Sequence, residues 1–280
     1  MGGFSPDGDM TDFTLKFDTT SFRQLDEFAL LACQEYNLGN RGDWFGNFRG
    51  GLHGFYARLH GVAVHYRIVH AWLPNLRSPT ETEYHLASIF FNMDSATECL
   101  TFALNALGYA AIQGSFRDVS NAQALRYLSP KDILGNPVAN PPTEPLAGYA
   151  VVFPNMQSLW QNKRTFLDLI VGQHDVSKHR ETIFTGGRAR QDPPMGFYES
   201  LDIPDDAVIR SQFWPMAEII LKNDPKLPKI ARTPQPLQEH THLETVAAEF
   251  VDFIRDTGSE AFSDARSTIT IPEKSFRQTS

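Results

Sequence analysis

Residues 45–69 read FGNFRGGLHGFYARLHGVAVHYRIV, and the fold turns on whether this stretch is strand or helix. Its last part, VAVHYRIVH at 62–70, alternates locally as a half-buried strand does. A longer window reads differently. Phe45, Phe48, Leu52, Phe55, Leu59, Val62, Tyr66 and Val69 recur at spacings of three and four. A period of two would scatter these side chains over both faces, whereas a helix gathers them on one. The segment from Asp43 to Trp72 is therefore expected to be one long helix. Gly46, Gly50, Gly51, Gly54 and Gly61 lie inside it, each roughly 1 kcal/mol worse than alanine in a helix interior. Several fall four apart, which lets a neighbouring backbone approach closely. A break at Gly50-Gly51 is the alternative.

The same period organises the flanks. In SFRQLDEFALLACQEYNLG, Phe22, Leu25, Phe28, Ala29, Ala32 and Tyr36 share a face and Gly39 falls where a C-cap would, so a helix is expected over 20–38. FTLKF at 13–17 alternates too briefly to suggest more than a short strand. After PNLRSP at 74–79, the run ETEYHLASIFFNMDSATECLTFALNALG carries an apolar stripe through Tyr84, Ala87, Phe91, Ala96, Cys99, Phe102, Ala103 and Leu107 and is expected to close at Gly108. The short connection makes these two long helices antiparallel neighbours.

A shorter helix is expected over 118–128, followed by a proline-rich strap from Pro130 to Pro145 without regular helix. Asn155 is a good N-cap for a helix carrying Leu159, Phe166, Leu169, Val176 and Ile183, through Gly172. DDAVIRSQFWPMAEIILKN reads as helix around Pro215, and DPKLPKIARTPQP as a second strap. THLE at 241–244 is a capping box for a last helix built on Leu243, Val246, Ala247, Phe250, Val251 and Ile254, with Gly258 as its stop. The organisation expected is a flexible N-terminus over 1–11, one all-helical bundle domain over 12–257 built on two long antiparallel helices with proline-rich straps, and a tail or strap over 258–280.

At 280 residues, 41% apolar and 12% aromatic, the chain can fill a core. Its apolar runs are interrupted before the roughly 20 residues of a membrane span, so no membrane partner is expected and the chain reads as soluble and cytoplasmic. MGGFSP resembles an acylation signal, but Pro6 stands where that signal has Ser or Thr. Cys33 and Cys99 are too few for a disulfide framework or a four-cysteine zinc site and suit buried thiols. A net charge of -8 opposes binding to a phosphate backbone except through a local basic face. GNFRGGLHG is not a phosphate-binding loop, because Leu52 and His53 stand where Lys and Ser or Thr would follow, and no dinucleotide fingerprint or nucleophile elbow occurs. No motif asks for a cofactor.

Two polar groupings remain. On the long helix, Arg49, His53, Tyr56 and His60, continued by Arg67 and His70, line up beside the apolar seam as a candidate substrate-binding stripe. Histidines seven apart are separated by about 10 Å and do not chelate one metal. Glu81, Glu83 and His85 on the next helix could approach the stripe. The second grouping is GQHDVSKHRE at 172–181, with His174, Asp175, Lys178, His179 and Arg180 as candidate catalytic residues. His174 and His179, five apart, point roughly 140° away from each other and cannot share an ion. Asp175 and His179, four apart, share a face, so the carboxylate can orient the imidazole. Arg180 adds a forked cation suited to phosphate. A solvated helical turn satisfied by its own pairs is the plain alternative.

Two family resemblances bear on this turn. FFNMDSATECLTFALNALG resembles the long second helix of HEPN-like domains, and Gln173-His174 followed by His179 resembles their late Arg-polar-x(4)-His motif. That resemblance implies a homodimeric bundle whose relatives often cleave RNA, and Gln173 in the arginine position implies a non-catalytic or weakly catalytic copy acting through association with an RNA or protein partner. His174-Asp175-Val176-Ser177-Lys178 is also similar to the HD-x-x-K signature of HD-domain phosphohydrolases, which implies a divalent metal held by His174 and Asp175.

Overall fold

The computed structural model describes residues 15–36, 43–72, 79–179 and 243–269. Among them the chain is an all-helical bundle: α1 Thr20–Tyr36, α2 Trp44–Trp72, α3 Pro79–Ala111, α4 Ala122–Leu125, α5 Lys131–Leu134, α6 Ala147–Val152, α7 Pro154–Asn162, α8 Arg164–His179 and α9 Leu243–Thr268. The N-terminus expected to be flexible, the helix expected around Pro215, the expected second strap and the end of the expected tail lie outside the described residues.

The expected seam holds along α2. Phe48, Leu52, Phe55, Leu59, Val62, Tyr66 and Val69 are all buried, and the helix passes through Gly50-Gly51 unbroken. Its partner is the antiparallel α3, and glycines set how closely the two approach. A Cβ on Gly51 would lie 2.8 Å from the backbone nitrogen of Ala103 and 2.9 Å from the Cys99 carbonyl oxygen; one on Gly54 would meet Cys99 Sγ, and one on Gly61 the Asn92 amide. These positions give up helix propensity and gain backbone-level packing.

The register of α3 differs from the expected stripe. Leu86, Ile89, Phe90, Met93, Ala96, Leu100, Ala103, Leu104 and Leu107 form its core face, whereas Tyr84 and Phe91 are exposed. α3 serves two neighbours at once, α2 and α8, so its buried surface is broader than one stripe and the seven-residue spacing of Tyr84, Phe91 and Glu98 falls outside it. Cys99 and Cys33 are partly buried, and burial pushes the Cys99 thiol pKa up.

Two glycines expected to stop helices make room instead. α3 continues through Gly108 to Ala111, and a Cβ at Gly108 would run into the Phe116 ring. α9 continues through Gly258 to Thr268, and Gly258 lies against the Phe22 ring of α1. Other expectations also change. Leu15–Thr19 forms no strand, although Phe17 packs edge-on against Phe250 at 5.9 Å. The helix expected over 118–128 shrinks to one turn capped by Asn121, whose side chain accepts from the backbone of Gln123 and Ala124. The strap does hold a helical turn, α5, with Pro130 at its N-cap, where a missing N–H costs nothing. Beyond it, Asn136 and Thr143 form an isolated antiparallel bridge. Asn155 is not the N-cap of one long helix: α7 starts at Pro154 behind Phe153, and Lys163 separates it from α8.

Asn155 has another use. Its Nδ2 donates to Asp264 of α9 at 2.8 Å, and the Met156 backbone N–H donates to the other carboxylate oxygen at 2.9 Å. A buried carboxylate on a distant helix thus satisfies an orphan donor at the start of α7. α7 then runs antiparallel to α9, with Trp160 Nε1 donating to Thr257 and Lys163 paired with Glu249. Asp264→Ala is expected to lower unfolding free energy by about 2–3 kcal/mol, read as the shift of a denaturant midpoint, with Asp264→Asn intermediate. An unchanged midpoint would show that this contact does not hold α7.

Candidate functional site

The turn singled out by sequence lies at the C-terminal end of α8, and its histidine finds a partner 80 residues earlier in the chain. His174 Nδ1 sits 2.6 Å from Asp94 Oδ2 on α3, with both side chains largely buried. Paired this way, Nδ1 carries the proton toward the carboxylate, which fixes the tautomer and the orientation of the ring. The Phe91 ring meets the His174 ring edge-on at 5.2 Å, and the Arg58 guanidinium of α2 lies 5.1 Å from the Phe91 centroid. Asp94, Phe91, His174 and Arg58 therefore join three helices at one place. Arg58, Phe91 and Asp94 were not among the candidates read from sequence.

Asp175 is partly exposed on the next position of α8. The expected Asp175–His179 pair, the Lys178 side chain and Arg180 lie outside the described side chains, as do the side chains of Glu81, Glu83 and His70. Gln173 is 2% exposed and turned into the core. Among the described residues no group of three or more His, Cys, Asp or Glu side chains is placed to hold a metal ion. A solvated turn is not what the described part of this stretch forms, since Gln173 is buried and His174 is tied to α3.

The histidine stripe on α2 is a separate surface. Arg49, His53 and His60 are exposed. Arg49 is directed to α1, with its Nε 3.3 Å from Asp26 Oδ1. Tyr56 is half-buried, its hydroxyl has no hydrogen-bond partner among the described residues, and burial, then the Asp26 charge, push its pKa up. The α2 side chain that reaches the Asp94–His174 neighbourhood through Phe91 is Arg58, which the stripe did not include.

A second imidazole contact lies further along the α2–α3 hairpin. His65 Nδ1 and His85 Nδ1 are 2.8 Å apart, the ring centroids are 5.0 Å apart, and Tyr84 flanks both rings. Burial first, and the neighbouring His85 second, hold the His65 pKa below its ordinary value.

Among the described residues no helix is long and apolar enough to cross a membrane. No family model matches the chain, and neither a curated protein nor a solved structure matches it.

Proposed function

We propose that this protein is a HEPN-like helical bundle that works through association, as a homodimer, with weak or no cleavage of RNA. The helix order supports the reading: two long antiparallel helices, then a later helix bearing the polar turn. One observation carries it. Gln173, in the place of the motif's arginine, is buried among core side chains, and His174 beside it is occupied by Asp94. A neutral side chain inside the core offers no fixed positive charge to a phosphate in its transition state. Gln173 and His174 thus serve the bundle's interior and its α3–α8 junction rather than a bound phosphate. The net charge of -8 agrees, since it disfavours nucleic acid as the main ligand.

Light scattering on the full chain is expected to give twice the monomer mass, and single-stranded RNA incubated with it is expected to stay within about tenfold of background cleavage. A monomer at every concentration sinks the association reading. Rapid cleavage that disappears in His179→Ala sinks the non-catalytic one. Asp94→Ala is expected to cost about 1.5–3 kcal/mol of stability, the range for a hydrogen bond to a charged group, in a denaturant titration, and Asp94→Asn less. If Asp94→Ala leaves stability unchanged, the pair does not brace α3 against α8.

A further inference from the structure

Two imidazoles whose Nδ1 atoms touch can share one proton but not two. In the neutral pair, one Nδ1 carries a proton and donates it to the bare Nδ1 of the other ring. Adding one proton leaves that contact intact, because the new charge sits on an Nε2 and the shared Nδ1–H remains. Adding a second places protons on both Nδ1 atoms, which removes the hydrogen bond and leaves two cations in direct contact. The ring placement fits proton sharing. A centroid separation of 5.0 Å is what the two ring radii give when added to a 2.8 Å contact between rings lying end to end. Imidazoles bound to one zinc ion would converge on a point off that line, at about 2.0–2.1 Å from each nitrogen.

We propose that His65 and His85 form a proton-sensitive clasp near the C-terminal end of α2 and the N-terminal end of α3, closed at neutral pH and released when both rings are protonated. The pair spans the two helices that make the bundle's main contact, at the end away from the Gly51–Ala103 approach. Among the described side chains, His85 and Tyr84 from α3 face His65. Glu244 from α9 acts on Tyr66, the next residue of α2. Further along the hairpin come Arg58 and the Asp94–His174 pair. His65 is half-buried, so its charged form is the disfavoured one. A histidine whose folded pKa lies below its unfolded value contributes stability in full above the unfolded value. That contribution is lost as pH falls from there through the folded pKa. The window opens at the ordinary histidine value of 6.5 and extends to more acid pH. His85 and Asp94 are nine residues apart on one helix, about 14 Å, so the clasp and the Asp94–His174 pair are separate contacts of α3.

A histidine-resolved NMR titration of the full chain, combined with amide hydrogen exchange, tests the clasp. Expected are two separated protonation steps for His65 and His85. Amides over 62–69 and 85–92 should exchange about tenfold faster at roughly pH 5 than at roughly pH 7.5 after correction for intrinsic rates. In His85→Gln the side-chain amide keeps a hydrogen bond without a proton to gain, and that acceleration should vanish. His65→Gln is the reciprocal variant if His85→Gln does not fold. The proposal is overturned if the two rings titrate independently near the ordinary value, if wild-type exchange over these segments is unchanged by pH, or if a folded glutamine variant keeps the wild-type acceleration.

Discussion

Trp160→Ala is expected to remove about 3–5 kcal/mol of stability, the range for emptying the space of a large buried aromatic. Trp160 is fully buried where α7 meets α9, its ring lies 5.3 Å from that of Phe253, and its Nε1–H donates to Thr257 at 3.2 Å. The ring that would have to collapse into the space, Phe253, is itself fully buried and packed against Phe250, with little freedom to move. With domain stabilities of about 5–15 kcal/mol, a loss of that size leaves a marginal fold. Trp160→Phe keeps most of the volume but loses the donor to Thr257, and should cost about 1–2 kcal/mol. Thermal unfolding of the two variants separates the contributions. If the alanine variant melts with wild type, α7 and α9 do not share a core.

Adjacent glycines on α2 are expected to respond in opposite directions. A methyl group on Gly51 would lie under 3 Å from the backbone of α3 and from Ala103 Cβ, contacts that only a shift of one helix could relieve. Gly51→Ala should therefore destabilise by about 1–3 kcal/mol, and larger side chains by more. Gly50 is exposed, and a Cβ there meets nothing within 4 Å. Gly50→Ala should stabilise by about 1 kcal/mol through helix propensity and a less flexible unfolded chain. A denaturant titration of both variants checks the packing of the hairpin directly: changes of the same sign would contradict the α2–α3 approach.

Helix existence was legible wherever one apolar face met one neighbour. For α1, 20–38 was expected and Thr20–Tyr36 is found; for α2, 43–72 against Trp44–Trp72. Glycine was misread at Gly108 and Gly258 because a glycine that ends a helix and a glycine that admits an aromatic ring look the same in one dimension. Only Phe116 and Phe22 tell them apart. α3 lost its register for a related reason, since a helix with two neighbours has no single stripe to find. At the site, His174 stood out locally while its partner did not. Asp94 leaves one faint trace in the sequence, as the sole carboxylate between Glu83 and Glu98 in an otherwise uncharged helical stretch apart from His85. A charge in such a run must pair across the bundle, but no spacing rule says with what.

The cover that α9 provides for α1 has a consequence for how the protein is made. Phe22 rests on Gly258, and α1 packs mainly on α9 and only lightly on α2. A ribosome adding about 5–20 residues per second needs roughly ten to fifty seconds to travel from one of these positions to the other. Throughout that interval Phe22 waits without its Gly258 lid, a newborn greasy ridge that chaperones are suited to shield. The α1–α9 contact can form only once nearly all of the described chain has been made, whereas α2 and α3 can pair much earlier.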